Sequence, residues 1–163
     1  MFPEELLMSA RLLLADCQER RLKIATAESC TGGLVAALLT EIPGSSAVIE
    51  RGFVTYSNRA KEEMLGVPGD LIADMGAVSE QVARAMAEGA LRESRANISV
   101  AITGVAGPGG GTKLKPVGLV HIAAARENRS ILHEACRFGD IGRDEIRLRS
   151  VEKALQFLAH MAR

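Results

Sequence analysis

The chain has 163 residues, 47% of them hydrophobic and 25% charged, with 16 glycines and five prolines, a composition that excludes a disordered or fibrous protein and points to one globular domain over residues 1–163. Twenty Lys and Arg balance 20 Asp and Glu for a net charge of +0, so the chain lacks the basic field that drives non-specific nucleic-acid binding. With aromatics at 3% and no tryptophan, a base-stacking platform is excluded as well. Cys17, Cys30 and Cys136 are scattered and form no CxxC pair, which suits a reducing, cytoplasmic setting. Met1-Phe2-Pro3-Glu4-Glu5 has no basic region of a secretory signal, and no apolar run is long enough to span a bilayer, so no membrane partner is expected.

In chain order, Leu6, Leu7, Ala10, Leu13, Leu14 and Cys17 recur in steps of three and four, predicting a helix from Pro3 to about Arg20. Leu22 to Ala27 reads as a short strand, and Thr31-Gly32-Gly33 turns it into the helical run Leu34 to Leu39. After Pro43-Gly44-Ser45-Ser46, the stretch Ala47 to Tyr56 favours a second strand. Asn58 is offered as the cap of a short helix through Lys61 to Leu65, closed by Gly66 and Pro68, with a loop from there to Ala77. Ser79-Glu80-Gln81 then opens a helix carrying Val82, Met86, Ala90 and Leu91, and Ile98 to Ile102 reads as a buried strand. Thr103 to Pro116 holds five glycines and two prolines and is too long for a simple turn. Val117 to Ala125 and Ser130 to Phe138 read as a hairpin, and Asp144 to His160 as a final amphipathic helix. The alternation predicts an α/β fold, a three-layer α/β/α sandwich with a mixed sheet.

Two nucleotide motifs are absent. The dipeptide Gly-Lys of a Walker loop does not occur, and Gly107-Pro108-Gly109-Gly110-Gly111-Thr112 has Thr where a dinucleotide fingerprint needs its third glycine. His121, His133 and His160 lie far apart without ligand spacing and read as core or surface residues.

Ala27-Glu28-Ser29-Cys30-Thr31-Gly32-Gly33 lies where a strand hands over to a helix. There, free N–H groups and the positive end of the helix dipole can stabilise an oxyanion. On this segment alone, Ser29 or Thr31 reads first as an N-cap and second as a nucleophile's neighbourhood. A serine nucleophile needs a base, and a desolvated Lys61 can serve, with Tyr56 relaying a proton or orienting the lysine. Taken singly, Lys61 reads as a solvated helix lysine and Tyr56 as a half-buried strand residue. Ser150 and Lys153 repeat the Ser-x-x-Lys spacing on the last helix without a glycine corner. The Thr103 to Thr112 segment suits either an anion nest of backbone amides or a plain surface loop, and its place after a buried strand favours a ligand.

Together these segments resemble the CinA C-terminal domain family of competence/damage-inducible proteins, whose stand-alone members include nicotinamide-nucleotide amidases. The resemblance rests on Ala27 to Gly33, Pro43 to Ser46, Tyr56-Ser57-Asn58 with Lys61, Gly76 to Ser79, Thr103-Gly104 with Ala106-Gly107-Pro108, and Lys115 to Gly118. It covers nearly the whole chain and implies the stand-alone form, without the pyrophosphatase domain of longer members. What it implies is hydrolysis of nicotinamide mononucleotide to nicotinate mononucleotide and ammonia, with no cofactor and no metal, by a homo-oligomer, a dimer being favoured. Ser29 would attack, Lys61 would move the proton and Tyr56 would support the transfer. Cys30, Thr31, Gly32, Gly33, Thr103 and Gly104 would hold the amide or its oxyanion, and Gly107, Gly109, Gly110, Gly111 and Arg143 the 5′-phosphate. Family members commonly carry Gly-Asp-Arg before the last helix, but here Ile141-Gly142 separates Gly139-Asp140 from Arg143, which leaves Arg147, Lys113 and Lys115 as rivals for the phosphate. Two other readings stand beside this one: Cys30 as the nucleophile, through a thiol acidified at a helix N-terminus, and a non-catalytic module that binds a pyridine nucleotide without turnover.

Overall fold

The computed structural model describes all of residues 1–163. Its elements run α1 (Glu4–Glu19), β1 (Ile24–Glu28), α2 (Leu34–Thr40), β2 (Ile49–Val54), α3 (Asn58–Leu65), α4 (Gly69–Met75), α5 (Glu80–Arg92), β3 (Ile98–Gly104), β4 (Leu119–Arg126), β5 (Leu132–Arg137) and α6 (Arg143–Ala162). The five strands form one sheet in the order β2-β1-β3-β4-β5. β2, β1 and β3 are parallel, while β4 and β5 run antiparallel as the expected hairpin.

The two faces of the sheet differ in bulk. Ile24, Val100, Ile102, Val120 and Ile122 project to one side and build the larger core with α1, α2 and α6. Ala25, Ala27, Ala101, Ala123 and Ala125 project to the other, where small side chains let α5 lie close. α5 answers with Ala83, Ala87, Ala90 and Gly89; a Cβ on Gly89 would overlap the Leu65 carbonyl at the end of α3. Alternation along each strand therefore produces the three-layer sandwich. β1 sends its crossover helix α2 to one face and reaches β2, whose own crossover runs back over the other face to β3 on the far side of β1. The carboxyl ends of β1 and β3 thus meet at a switch in strand order, where open α/β sheets bind ligands.

The local expectations for α3 and for the stretch after it change. The cap of α3 is Ser57, not Asn58: Ser57 is extended and its Oγ accepts from the Ala60 N–H at 3.0 Å, so Asn58 is already helical. Gly66 closes α3 in the left-handed conformation, as its sequence suggested. The stretch read as a loop to Ala77 contains α4, a seven-residue helix between Pro68 and Gly76. It fully buries only Ile72, which is too little to show a helical period in the sequence.

Candidate active site

Ser29 follows the last residue of β1, and its backbone is held from both sides. The Ser29 N–H donates to the Ile102 carbonyl of β3 at 2.9 Å, and the Glu28 carbonyl accepts from the Thr55 N–H beyond β2 at 2.8 Å. The side chain of Ser29 then meets Lys61 from α3. The Lys61 Nζ donates to Ser29 Oγ at 2.9 Å and to the Thr55 carbonyl at 2.7 Å. Lys61 is 1% exposed, and no carboxylate touches its ammonium. Burial therefore holds its pKa below the usual 10.5. A neutral Lys61 can donate to Thr55 while aiming its lone pair at the Ser29 hydroxyl, which is the geometry of a base beside a nucleophile.

The turn after Ser29 differs from its sequence reading. Neither Ser29 nor Thr31 caps α2. That place is taken by the fully buried Glu28, whose carboxylate accepts from the Val35 N–H at 2.9 Å, the Ala36 N–H at 3.0 Å and the Thr31 hydroxyl at 2.7 Å. The Glu28 carboxylate thus sits at the positive end of the helix and offsets the dipole that an oxyanion would otherwise meet there. The donors that remain are backbone amides of the turn. The Cys30 and Thr31 N–H groups have no acceptor within the chain, and Gly32 and Gly33 carry the turn at φ +58° and +103°. The Cys30 thiol is not acidified: burial, the main cause, pushes it up to about 12, overturning the expectation of a low-pKa thiol at a helix N-terminus.

Ser29, Cys30, Tyr56, Lys61, Thr103, Gly104, Gly107, Gly109, Gly110 and Arg143 line one cleft of about 300 Å³, a size suited to a small polar ligand. Thr31, Gly32, Gly33 and Gly111 do not line it; the first three shape the turn, and Gly111 faces a hollow behind the glycine loop. That hollow, about 590 Å³, and a groove of about 390 Å³ between α1 and α6 are larger, but neither holds a nucleophile beside a base. Thr103 donates its hydroxyl to the Ala77 carbonyl at 2.8 Å, tying the segment before α5 to the sheet and leaving an oxygen lone pair for a ligand N–H. In the glycine loop, the N–H groups of Ala106, Gly107, Gly109, Gly110 and Gly111 have no acceptor in the chain. This set of unpaired donors suits an anion.

Arg143 reaches this loop from the start of α6 despite its displacement in the sequence. Its guanidinium donates to the Gly107 carbonyl at 2.7 Å and to the Tyr56 hydroxyl at 3.2 Å. Tyr56 is 61% exposed at the cleft mouth; its hydroxyl accepts a hydrogen bond from Arg143 and makes none with Lys61 or Ser29. The rival cations point elsewhere. Lys115 donates to the Met75 carbonyl at 2.5 Å, Arg147 lies under the Ser29 turn, and neither they nor Lys113 line the cleft.

Sequence reasoning missed Glu28 and the histidine pair. His121 Nδ1 and His133 Nε2 stand 3.0 Å apart with rings stacked at 5.2 Å. The signal was in the hairpin: His121 pairs with Ala135 and Ala123 with His133, so the histidines are diagonal neighbours on one face. Burial, followed by the charge of His133, lowers His121 to about 4.

Fold and site together describe an open α/β protein with a buried Ser–Lys pair at its strand-order switch. The chain belongs to the CinA C-terminal domain family, which matches residues 8–162. It is similar to a CinA-like protein of Mycobacterium sp. (strain JLS), 55% identical over 136 residues, 83% of this chain and 32% of that protein. A CinA-like protein of Anaeromyxobacter sp. (strain K) is 50% identical over 147 residues, covering 90% and 36%. The chain thus spans about a third of the length of these curated relatives. Among solved structures, the competence/damage inducible protein CihA from Agrobacterium tumefaciens superposes with a TM-score of 0.98 at 54% identity, covering 100% of this chain and 99% of that one. A CinA superfamily protein from Escherichia coli superposes with a TM-score of 0.89 at 31% identity, covering 97% and 92%.

Proposed function

We propose that this chain is an amidohydrolase that converts nicotinamide mononucleotide and water to nicotinate mononucleotide and ammonia. The observation that carries the reading is the 2.9 Å contact between a buried, desolvated Lys61 and Ser29 Oγ. Neutral Lys61 takes the hydroxyl proton as Ser29 attacks the amide carbon, and the oxyanion is held by the N–H groups of Cys30 and Thr31. The Lys61 ammonium then protonates the departing nitrogen, since amide anion is a very poor leaving group, and an acyl-serine remains. Lys61, neutral again, deprotonates the water that cleaves this ester, and returns the proton to Ser29 as nicotinate mononucleotide leaves. Thr103 accepts from the carboxamide NH₂. Arg143 and the glycine-loop amides receive the phosphate.

Ammonia release from nicotinamide mononucleotide by the purified protein tests the reading. Binding of the nucleotide without ammonia would favour the silent binding module instead. Cys30→Ala is expected to keep the wild-type rate, because a thiol pushed up to about 12 supplies almost no thiolate at neutral pH; loss of ammonia release in a folded Cys30→Ala protein would move the nucleophile to sulfur. Arg143→Met is expected to raise KM by about tenfold or more, the worth of a charge-assisted hydrogen bond, with a smaller change in kcat. The same variant should leave hydrolysis of nicotinamide riboside, which lacks the phosphate, unchanged. An equal loss on both substrates would remove Arg143 from the phosphate site.

A further inference from the structure

Beneath the Ser29 turn, Arg147 of α6 lies against the Thr31–Gly32 peptide. Its Nη2 donates to the Thr31 carbonyl at 3.2 Å, while its Nε is buried with no hydrogen-bond partner. Gly32 suits the close approach: it has φ +58°, and a Cβ there would stand 3.2 Å from the guanidinium, a tight contact. The N–H of that same peptide, on Gly32, donates to the Ser29 carbonyl at 3.0 Å. The Ser29 carbonyl belongs in turn to the peptide that ends in the Cys30 N–H, which has no acceptor within the chain.

These groups form a hydrogen-bonded series from a cation, through two peptide units, to one free donor. Each bond polarises the next, so a positive charge on the Thr31 oxygen strengthens the Gly32 N–H as a donor and, through the Ser29 carbonyl, the Cys30 N–H. Ser29 and Thr31 are buried, so at their carbonyls the charge is less screened than it would be in bulk water. Its sign matters because the buried Glu28 carboxylate stands at the same turn, bonded to the Thr31 hydroxyl, and its field opposes an oxyanion. A guanidinium at the Thr31 carbonyl offsets that field on the side of the turn that faces α6.

We propose that Arg147 is a positioning residue that orients and polarises the Cys30 N–H as an oxyanion donor, and is not a ligand of the substrate phosphate. The proposal rests on Ser29 being the nucleophile. It concerns only the transition state, so Arg147 contributes to kcat and not to substrate binding.

The test compares Arg147→Lys, Arg147→Gln and Arg147→Met in ammonia release from nicotinamide mononucleotide, with melting temperatures measured alongside. Gln keeps a donor for the Thr31 carbonyl without the charge, and Met keeps bulk alone. The expected result is a kcat lowered about tenfold or more in Gln and further in Met, with KM unchanged and Lys the least affected; full loss of an oxyanion donor costs more than this. A Gln variant with wild-type kcat overturns the role of charge. So does a rise in KM at constant kcat, or a kcat loss that follows a fall in melting temperature across all three variants. Should Met fail to fold, the Gln and Lys pair decides the matter. If wild type releases no ammonia, or Ser29→Ala releases as much as wild type, the nucleophile reading fails first, and the two failures are told apart.

Discussion

Ser29→Ala is expected to reduce ammonia release from nicotinamide mononucleotide by a factor on the order of 10⁴ or more, while the protein still folds and binds the nucleotide. The size follows from the role: no other hydroxyl in the cleft meets a base, since the Thr103 hydroxyl donates to the Ala77 carbonyl. Removal of a catalytic serine leaves only the acceleration that oxyanion donors and binding supply. The fold should survive because the change deletes one atom from a side chain that is 8% exposed, and Lys61 keeps its bond to the Thr55 carbonyl. Equilibrium binding by calorimetry beside a discontinuous ammonia assay would check both halves. A residual rate within tenfold of wild type would mean that water is attacked directly and that Ser29 only positions Lys61.

That pairing shows how far the sequence carried. Ser29 and Lys61 are 32 residues apart, and each alone reads as something ordinary: a turn serine and a helix lysine. Local patterns placed Ser29 at the end of a strand and Lys61 in the first turns of a helix that follows another strand. What they could not contain is the order of the strands, which sets β2 beside β1 and so brings α3 over the Ser29 corner. The fold class was legible because alternating strands and helices of ordinary length leave few ways to cover both faces of a sheet. Glu28 was not legible. A carboxylate in a fully buried strand reads as an anomaly until the α2 N–H groups that it caps are seen two turns of chain away. Arg143 and Arg147 posed the opposite problem, since both were visible as cations near the start of a helix and four residues separate them. Four residues return to the same face of a helix one turn on, so only the packed structure distinguishes the cation at the cleft mouth from the one under the turn. Tyr56 was misplaced for a related reason: strand β2 ends at Val54, two residues earlier than its hydrophobic pattern suggested, and the chain has already turned outward at position 56.

The second large effect concerns Lys61, and it separates a base from a fixed charge. Lys61→Met should lower kcat by about 10² to 10⁴, the usual contribution of a positioned acid–base group, with KM little changed. Lys61→Arg should be nearly as poor. A guanidinium keeps the charge and the donors, but it does not deprotonate in proteins and so cannot accept the Ser29 proton. An active Arg variant would show that Lys61 acts as a cation and that the base lies elsewhere. The pH dependence carries the same sign. Burial lowers Lys61 below 10.5, so activity should rise with pH as the ammonium is lost and level off above the folded-state pKa, at a pH lower than that of a solvent-exposed lysine. Stability is linked to the same proton. Between the folded-state pKa and 10.5 the unfolded chain binds more protons at this site than the native protein does, so the Lys61 contribution to stability rises with pH through that window. It is fully present above 10.5 and is lost as pH falls through the folded-state pKa. Denaturant unfolding of wild type and Lys61→Met across alkaline pH should therefore differ in slope, wild type gaining relative to the variant as pH increases. Parallel slopes, together with a flat rate profile, would mean that Lys61 is charged throughout and cannot be the base that activates Ser29.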